Sequence, residues 1–246
     1  KCGPEHAEVL VNKKRGNFSK IVTGTIRRIL VGSNQRWVFE PPPSSWKPPE
    51  IKQTSLYLHV PFCIYFCPYC PYTKVPYQEY LEQPYLQAAI AEIDWWANHT
   101  GSIELSNIYI GGGTPTLMLE SVTKILRHIQ KRFKVSGDIC IETNPADVNQ
   151  EKISQLRDAN VSLISIGIQS FKQKNLRFIG RRYQPATAKQ ALQLLVDGDF
   201  SSVNVDLMFA LPGQTVEELI EDLELVNKLG ANQITTYPLF TFPYSE

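Results

Sequence analysis

The sequence predicts an α/β protein built around a partial parallel (βα)6 barrel of TIM type. From residue 51 to residue 246, short strand-like runs alternate with longer segments of helical periodicity, which is typical of parallel sheets. The glycine-rich and polar motifs all follow predicted strands, and ligands bind at that edge in barrels and open sheets alike. A doubly wound open sheet is the competing architecture.

The elements can be assigned in chain order. Strands are predicted at Ser55–Val60, Asn107–Ile110, Asp138–Glu142, Leu163–Ile168, Val203–Phe209 and Gln233–Leu239. Helices are predicted near residues 84–99, 122–133, 153–159, 186–196 and 215–230. Pro84 suits a first helical turn, Asn160 can adopt a left-handed cap, and Thr215-x-x-Glu218 forms a capping box.

Residues 1–50 form a predicted N-terminal basic extension, separate from the core domain of residues 51–246. The extension holds nine Lys or Arg and four Asp or Glu, and its weak hairpin signal spans residues 20–39. Proline is concentrated between residues 41 and 49, which predicts a stiff, extended linker. The chain begins without Met and stops just after a strand-like run, so we expect it to be part of a longer protein.

Composition excludes several classes of protein. Of the 246 residues, 43% are hydrophobic and 20% are charged, which excludes a disordered, collagen-like or coiled-coil chain. A net charge of +1 argues against nucleic acid as a partner. No apolar run approaches the roughly 18–20 residues that span a bilayer, and no secretory pattern opens the chain. We therefore expect a cytoplasmic protein without a membrane partner.

Three cysteines lie close together after the first predicted strand. Cys63, Cys67 and Cys70 have the spacing C-x3-C-x2-C, which suits thiolate ligation in a reducing compartment. Three cysteines can hold a [4Fe–4S] cluster and leave one iron open to another ligand. The alternatives are a zinc site completed by Cys140 or His59, and unligated core thiols. Cys140 itself, within the third strand, is expected to be a core thiol.

The segment from Tyr57 to Cys70 resembles the radical S-adenosylmethionine (SAM) superfamily, in the branch of oxygen-independent coproporphyrinogen III oxidase. Tyr69, an aromatic residue before the third cysteine, belongs to that pattern. The resemblance covers residues 55 to about 240. It continues through Gly111–Pro115, Glu142-x-Asn144-Pro145, Ser165–Phe171, Gly180-Arg181, Asn204-x-Asp206 and Leu211–Gln214.

The resemblance implies two cofactors. Cys63, Cys67 and Cys70 would be the catalytic and metal-binding residues that hold a [4Fe–4S] cluster. The glycine loop would hold the amino group of SAM, Glu142 and Asp206 would lie near amino or ribose groups, and Gln169 and Arg181 near ribose or carboxylate. The full set of SAM contacts is predicted to be Tyr57, Tyr69, Tyr72, Gly112, Gly113, Thr114, Glu142, Gln169, Arg181 and Asp206. For Glu142, Gln169, Arg181 and Asp206 the alternative is a structural hydrogen bond or salt bridge, and for the glycines it is a tight turn between strand and helix.

The resemblance also implies an activity, in which reductive cleavage of SAM gives a 5′-deoxyadenosyl radical that abstracts hydrogen from an organic substrate. A tetrapyrrole such as a porphyrinogen is the candidate substrate, with reduced flavodoxin or ferredoxin as electron donor. The oxidases carry a fourth cysteine two residues after the third, and here that residue is Tyr72. The branch's C-terminal substrate domain is not recognisable in this chain. A haem chaperone without turnover and a radical SAM methyltransferase or tailoring enzyme are the alternatives.

Overall fold

The computed structural model describes residues 51–240. The predicted N-terminal extension, with its hairpin signal and Pro-rich linker, lies outside the described residues, as do residues 241–246. The strands are β1 (Gln53–Val60), β2 (Phe62–Cys63), β3 (Val75–Pro76), β4 (Glu104–Gly112), β5 (Lys134–Val135), β6 (Ile139–Thr143), β7 (Leu163–Gln169), β8 (Ser202–Phe209) and β9 (Gln233–Pro238).

The main sheet is parallel and its long strands follow one another in chain order. The order is β1-β4-β6-β7-β8-β9, and the short β5 pairs with β4 at its first residues. Because each strand lies beside the next one in sequence, the sheet has none of the order reversal that defines a doubly wound fold. The described residues therefore form the predicted partial barrel, and the competing architecture is wrong.

Helices connect the successive strands. They are α1 (Glu82–Thr100), α2 (Leu119–Arg132), α3 (Gln150–Asp158), α4 (Gln173–Phe178), α5 (Pro185–Val196) and α6 (Val216–Lys228). The stripe predicted on α2 is confirmed, since Val122, Ile125, Leu126 and Ile129 are all at most 1% exposed. The short α4 was not predicted, because six residues give too little periodicity to read.

Helix ends follow the predicted chemistry. Asn160 adopts a left-handed φ of 60° just after α3, as its short polar side chain allows. The Thr215 hydroxyl accepts from the Glu218 amide, and the Glu218 carboxylate accepts from the Thr215 amide, which completes the capping box. No helix within residues 51–240 combines the length and the apolarity needed to cross a membrane.

The inner strands bury one face and leave the other partly accessible. In β4, Ile108 and Ile110 are almost fully buried. Tyr109, between them, and Asn107, just before them, are exposed. The same alternation runs along β6 and β8. Parallel strands that are covered on both faces are usually apolar throughout. The alternation therefore identifies a polar inner face, and that face carries the functional residues.

Candidate functional site

The cysteine loop is closed by a short pair of strands. β2 pairs in parallel with β3, and the amides of Val75 and Tyr77 donate to the carbonyls of Pro61 and Cys63, both at 2.9 Å. Within the loop the Cys70 amide donates to the Cys67 carbonyl at 3.1 Å. Cys63, Cys67 and Cys70 are free thiols and each is half-buried. The spacing thus gives a fixed loop that presents three thiols near one another.

The side chain of Lys74 stabilises the cysteine loop through hydrogen bonds to its backbone. Its ammonium donates to the carbonyls of Cys70 at 2.8 Å and Cys67 at 3.1 Å, and lies 5.5 Å from the centre of the Phe66 ring. Burial raises the pKa of the Cys63 thiol, while a hydrogen bond from Thr114 and the charge of Lys74 lower it. A cation beside the loop offsets the negative charge that bound thiolates would bring.

The donor set around the cysteine loop bears on the choice between a cluster and a zinc site. Among residues 51–240, no three His, Cys, Asp or Glu side chains are arranged so that they could hold one metal ion. His59 has no free ring nitrogen, because Nδ1 bonds the Tyr57 hydroxyl and Nε2 bonds the Thr73 carbonyl, both at 2.9 Å. Three thiolates on a cube each bind a different iron and need not converge on one point. His59 is therefore engaged elsewhere and does not complete a zinc site with the three thiols, whereas three cysteines on one loop are the donor set that a [4Fe–4S] cluster takes.

The glycine loop at the end of β4 lies against the cysteine loop. The amides of Gly113 and Thr114 donate to the carbonyls of Val60 and Phe62 at 2.7 and 2.8 Å. A Cβ on Gly113 would stand 2.5 Å from the Phe62 carbonyl oxygen, and Gly112 has a φ of 119°. Only glycine permits this approach and this conformation. The glycine loop is therefore hydrogen-bonded directly to the cysteine loop, which would carry the cluster.

Glu142 ends β6 with both carboxylate oxygens already engaged. Oε1 accepts from the Tyr109 hydroxyl at 2.8 Å, and Oε2 accepts from the Gly112 amide at 3.0 Å. These bonds aim the carboxylate at the glycine loop and fix its orientation. Each oxygen can still accept a further bond from a ligand.

Asp206 occupies the same inner face, two strands away on β8. Its Oδ1 accepts from the Asn204 amide at 2.8 Å, and the Ser165 hydroxyl lies 3.4 to 3.5 Å from its two oxygens. Burial raises the pKa of Asp206 to about 6; the Asn204 bond lowers it, and the charge of Glu142 raises it further. A carboxylate held away from water in this way gains from a ligand that donates hydrogen bonds.

Gln169 and Arg181 lie side by side above Gly167. A Cβ on Gly167 would stand 2.9 Å from the Gln169 amide nitrogen and 3.2 Å from an Arg181 guanidinium nitrogen. Gln169 is 3% exposed and has a φ of 71°, at an irregularity in the pairing of β7 with β8. Its Oε1 accepts from the Tyr237 hydroxyl of β9 at 2.5 Å. A non-glycine residue held in this strained conformation is typical of functional sites.

Three predicted tyrosine contacts border the site. Tyr57 on β1 is exposed and stacks on Tyr109 with ring centres 6.0 Å apart. Tyr69 packs against the core close to Cys67 and Arg181. Tyr72 is 65% exposed, and the pKa of its phenol is raised by partial burial and by the charges of Glu142, Cys70 and Asp206. Tyr72 therefore lies at the rim of the polar inner face.

Cys140 is not the core thiol that the sequence predicts. It is half-buried on the inner face of β6, where its neighbours Ile139 and Ile141 point the other way. Burial, reinforced by the charges of Glu142 and Asp206, raises the pKa of its thiol to about 12. A thiol that stays protonated in an acidic neighbourhood is a poor metal ligand.

The structure thus places most predicted site residues on the cysteine loop and at the ends of the inner strands, whereas Tyr57 and Asp206 lie within β1 and β8 and Arg181 lies in the segment after α4. Sequence reasoning did not single out Lys74, Tyr109 or Tyr237 for this site. The signal for Tyr109 was present, because β4 alternates buried isoleucines with Asn107, Tyr109 and Gly111. The role of Lys74 depends on how the cysteine loop closes. The role of Tyr237 depends on the pairing of β9 with β8.

Comparison with known proteins gives a consistent family. A model described as the radical SAM superfamily matches residues 57–226. A curated protein of Haemophilus influenzae named heme chaperone HemW is 35% identical over 204 residues, which cover 79% of this chain and 53% of that protein. An Escherichia coli O157:H7 protein named anaerobilin synthase is 32% identical over 189 residues, covering 75% of this chain and 42% of that protein.

A solved structure agrees with these sequence matches. Coproporphyrinogen III oxidase (HemN) from Escherichia coli, described as a radical SAM enzyme, matches with a TM-score of 0.71 and 26% identity, over 77% of this chain and 44% of that chain. The chain spans about half the length of the curated relatives it matches.

Proposed function

The chain belongs to the radical SAM superfamily, and from that premise we propose that it is the cofactor-binding part of a haem chaperone that binds a [4Fe–4S] cluster and SAM. The observation that carries the proposal is its identity of 30 to 35% with several proteins named heme chaperone HemW, over about three quarters of the chain. Members of the superfamily use these two cofactors. These relatives favour the chaperone over the radical enzyme that the sequence resemblance implies.

Cys63, Cys67 and Cys70 are the proposed cluster ligands. Their loop is fixed by the strand pair β2–β3 and by Lys74, so the thiols need little rearrangement to bind. A bound, reduced cluster supplies the electron that cleaves SAM in this superfamily. The chain's own part is to hold the thiolates and to keep a positive charge beside them.

SAM is proposed to lie across the inner face, between the glycine loop and the ends of β6, β7 and β8. Glu142 is aimed at the glycine loop by Tyr109 and Gly112, and there it can accept from the ammonium of SAM. Asp206 can accept from ribose hydroxyls, and Arg181 can donate to the carboxylate. The inner-face residues of β4 and β8 are only partly buried, which leaves them accessible to a ligand.

The proposal is tested by measuring haem binding and, in the same preparation, the formation of 5′-deoxyadenosine from SAM. The anaerobically reconstituted full-length protein should bind SAM and one equivalent of haemin, and should pass the haemin to an apo-haem protein. Protein that binds no haem while it turns over a tetrapyrrole with formation of 5′-deoxyadenosine would contradict the proposal.

A radical enzyme that acts on a tetrapyrrole is the second candidate function. The relative named anaerobilin synthase favours it, at 32% identity. The two candidates share the cluster and SAM and differ in whether 5′-deoxyadenosine forms in step with a modified tetrapyrrole. The same assay therefore separates them.

A further inference from the structure

A cavity of about 570 Å³ lies between the cysteine loop and the segment that follows α4. Its lining includes Ile64, Tyr65 and Phe66 on one side and Arg177, Arg181 and Arg182 on the other. Of these residues only Arg181 belongs to the predicted SAM contacts. The volume falls within the range of cavities that bind small molecules and cofactors.

One side of this cavity is an exposed apolar surface. Ile64, Tyr65 and Phe66 are 55%, 53% and 47% exposed, although they are consecutive and flanked by cysteines. Phe178, next to the lining residue Arg177, is 44% exposed. Soluble chains seldom leave several large apolar side chains together in water without a binding partner.

The opposite side is cationic. Arg177 and Arg182 are exposed, and the Arg182 guanidinium lies 3.6 Å from the centre of the Tyr65 ring. Arg181 has a buried Nε without a hydrogen-bond partner. Among the described residues that line the cavity, none is acidic. Arginine pairs well with carboxylates in bidentate geometry, so this side suits an anion.

We propose that this cavity is a seat for a tetrapyrrole that carries carboxylate arms, with the ring against Tyr65, Phe66 and Ile64 and the carboxylates on Arg177 and Arg182. The occupant must combine a broad apolar ring with negative charges at its edge. A tetrapyrrole dicarboxylate has that combination. The seat deepens the proposed function and rests on it, because that function supplies a haem as the molecule to be carried.

Recognition at this seat does not depend on iron. The described residues that line the cavity include no His, Met or Cys, which are common ligands of haem iron, and the ring of Tyr65 is stacked under the Arg182 guanidinium. Iron-free protoporphyrin IX should therefore bind about as well as haemin. The dimethyl ester of protoporphyrin IX, which lacks the negative charges, should bind much more weakly.

The test is equilibrium dialysis of haemin against the reconstituted full-length protein, with haem quantified as its pyridine complex so that cluster absorption does not interfere. The double variant Arg177→Glu/Arg182→Glu should lose roughly tenfold to a hundredfold in haemin affinity, the size of one or two lost charged hydrogen bonds. The matched control is Lys131→Glu/Lys189→Glu, which makes the same charge change at exposed positions on α2 and α5. The control should keep wild-type affinity, and both variants should keep the cluster.

The outcomes are distinguishable. Haemin bound with unchanged affinity by the arginine variant would overturn the seat and leave the chaperone function standing. Loss of salt-sensitive binding to reduced flavodoxin, with haemin affinity unchanged, would identify the surface as a dock for an acidic electron donor and would also overturn the proposal. Absence of haemin binding in the wild type would overturn the proposed function itself. Equal weakening by the charge-matched control would reduce the effect to net charge and refute the seat.

Discussion

Asp206 and Glu142 are two carboxylates on the same inner face, and they differ in hydrogen bonding and in access to water. Glu142 accepts two hydrogen bonds from the chain, one of them from a backbone amide. Asp206 is held away from water, with its pKa raised to about 6 by burial and by the charge of Glu142, against the Asn204 bond that lowers it. In the absence of SAM the ionised form of Asp206 therefore destabilises the fold.

Replacing Asp206 by Asn should stabilise the SAM-free protein at neutral pH. A carboxyl whose pKa is higher in the folded state than in the unfolded chain reduces stability as the pH rises from about 4 to about 6. A shift of about two units corresponds to at most about 3 kcal/mol, so we expect Asp206→Asn to gain about 1–3 kcal/mol at pH 7. Urea unfolding at pH 7 and pH 5 measures the gain, which should shrink at the lower pH.

The same substitution should weaken SAM binding by roughly 1–3 kcal/mol, the size of one charged hydrogen bond. Conservative replacement of a carboxylate that only supports the fold would leave SAM affinity intact. An Asp206→Asn protein that gains no stability at pH 7 would show that water reaches this carboxylate freely.

The three loop cysteines should differ sharply from Cys140. Replacing Cys63, Cys67 or Cys70 by Ala should abolish a cluster of about four irons per chain, because each thiolate binds its own iron. Cys140→Ala should retain the full iron content, since that thiol has a pKa of about 12 beside Glu142 and Asp206. Iron and zinc analysis after anaerobic reconstitution measures both, and stoichiometric zinc without iron in the wild type would contradict the assignment.

At the scale of elements, β9 orients polar side chains on two earlier strands, β7 and β8. Tyr237 on β9 donates to the Gln169 amide oxygen of β7, and Thr235 donates to Asn204, which in turn donates to Asp206. Because Tyr237 takes the amide oxygen, the amide nitrogen of Gln169 is left beside Arg181 and free to donate. β9 thus fixes which atoms the site presents.

Tyr237→Phe should therefore lower SAM affinity without unfolding the protein. Losing the hydroxyl frees the Gln169 amide to rotate, which we expect to cost about 1 kcal/mol in SAM binding. Calorimetric titration measures the loss. Thr236→Val, on the same strand at an exposed position, is the matched control and should bind SAM normally. Equal affinity in Tyr237→Phe and the wild type would show that Gln169 is held by its backbone alone.

The cysteine loop depends on Lys74 in the same way. Lys74→Met removes two hydrogen bonds to loop carbonyls and one positive charge, so the cluster should assemble more slowly and have a lower reduction potential. One nearby unit charge is worth about 1–2 kcal/mol at an effective dielectric constant near 20, which equals tens of millivolts. Anaerobic redox titration measures the change, and Lys189→Met on α5 is the control. An unaltered potential in Lys74→Met would show that solvent screens the ammonium.

Elements with a local signal could be predicted from sequence, and those defined by closure of the sheet could not. The long strands, the α2 stripe and the Thr215 capping box all follow from patterns within a few residues. The order of the strands does not, because sequential and doubly wound sheets share one pattern of alternation. Tyr237 contributes to the site only because β9 lies next to β8, and that adjacency is a property of the whole sheet.

At the scale of the whole molecule, Tyr72 at the rim of the polar inner face bears on the type of reaction. Tyr72 is 65% exposed and near Glu142 and Asp206, at the position where the resemblance places a fourth cysteine in the oxidases. A tyrosine is bulkier than cysteine, and its hydroxyl holds hydrogen more firmly than a thiol. The chain therefore differs from the oxidases at a residue on the rim of the polar inner face, close to Glu142 and Asp206, which are predicted to contact SAM.

The full-length protein should consequently fail to convert coproporphyrinogen III efficiently to protoporphyrinogen IX. The assay supplies dithionite or flavodoxin, SAM and the porphyrinogen under argon, and measures 5′-deoxyadenosine, carbon dioxide and porphyrin together. Haem binding without carbon dioxide release supports a chaperone, whereas deoxyadenosine with an altered tetrapyrrole other than protoporphyrinogen supports the second candidate. Robust carbon dioxide release from the propionates would place the protein with the oxidases, because Tyr72 would then have proved compatible with decarboxylation.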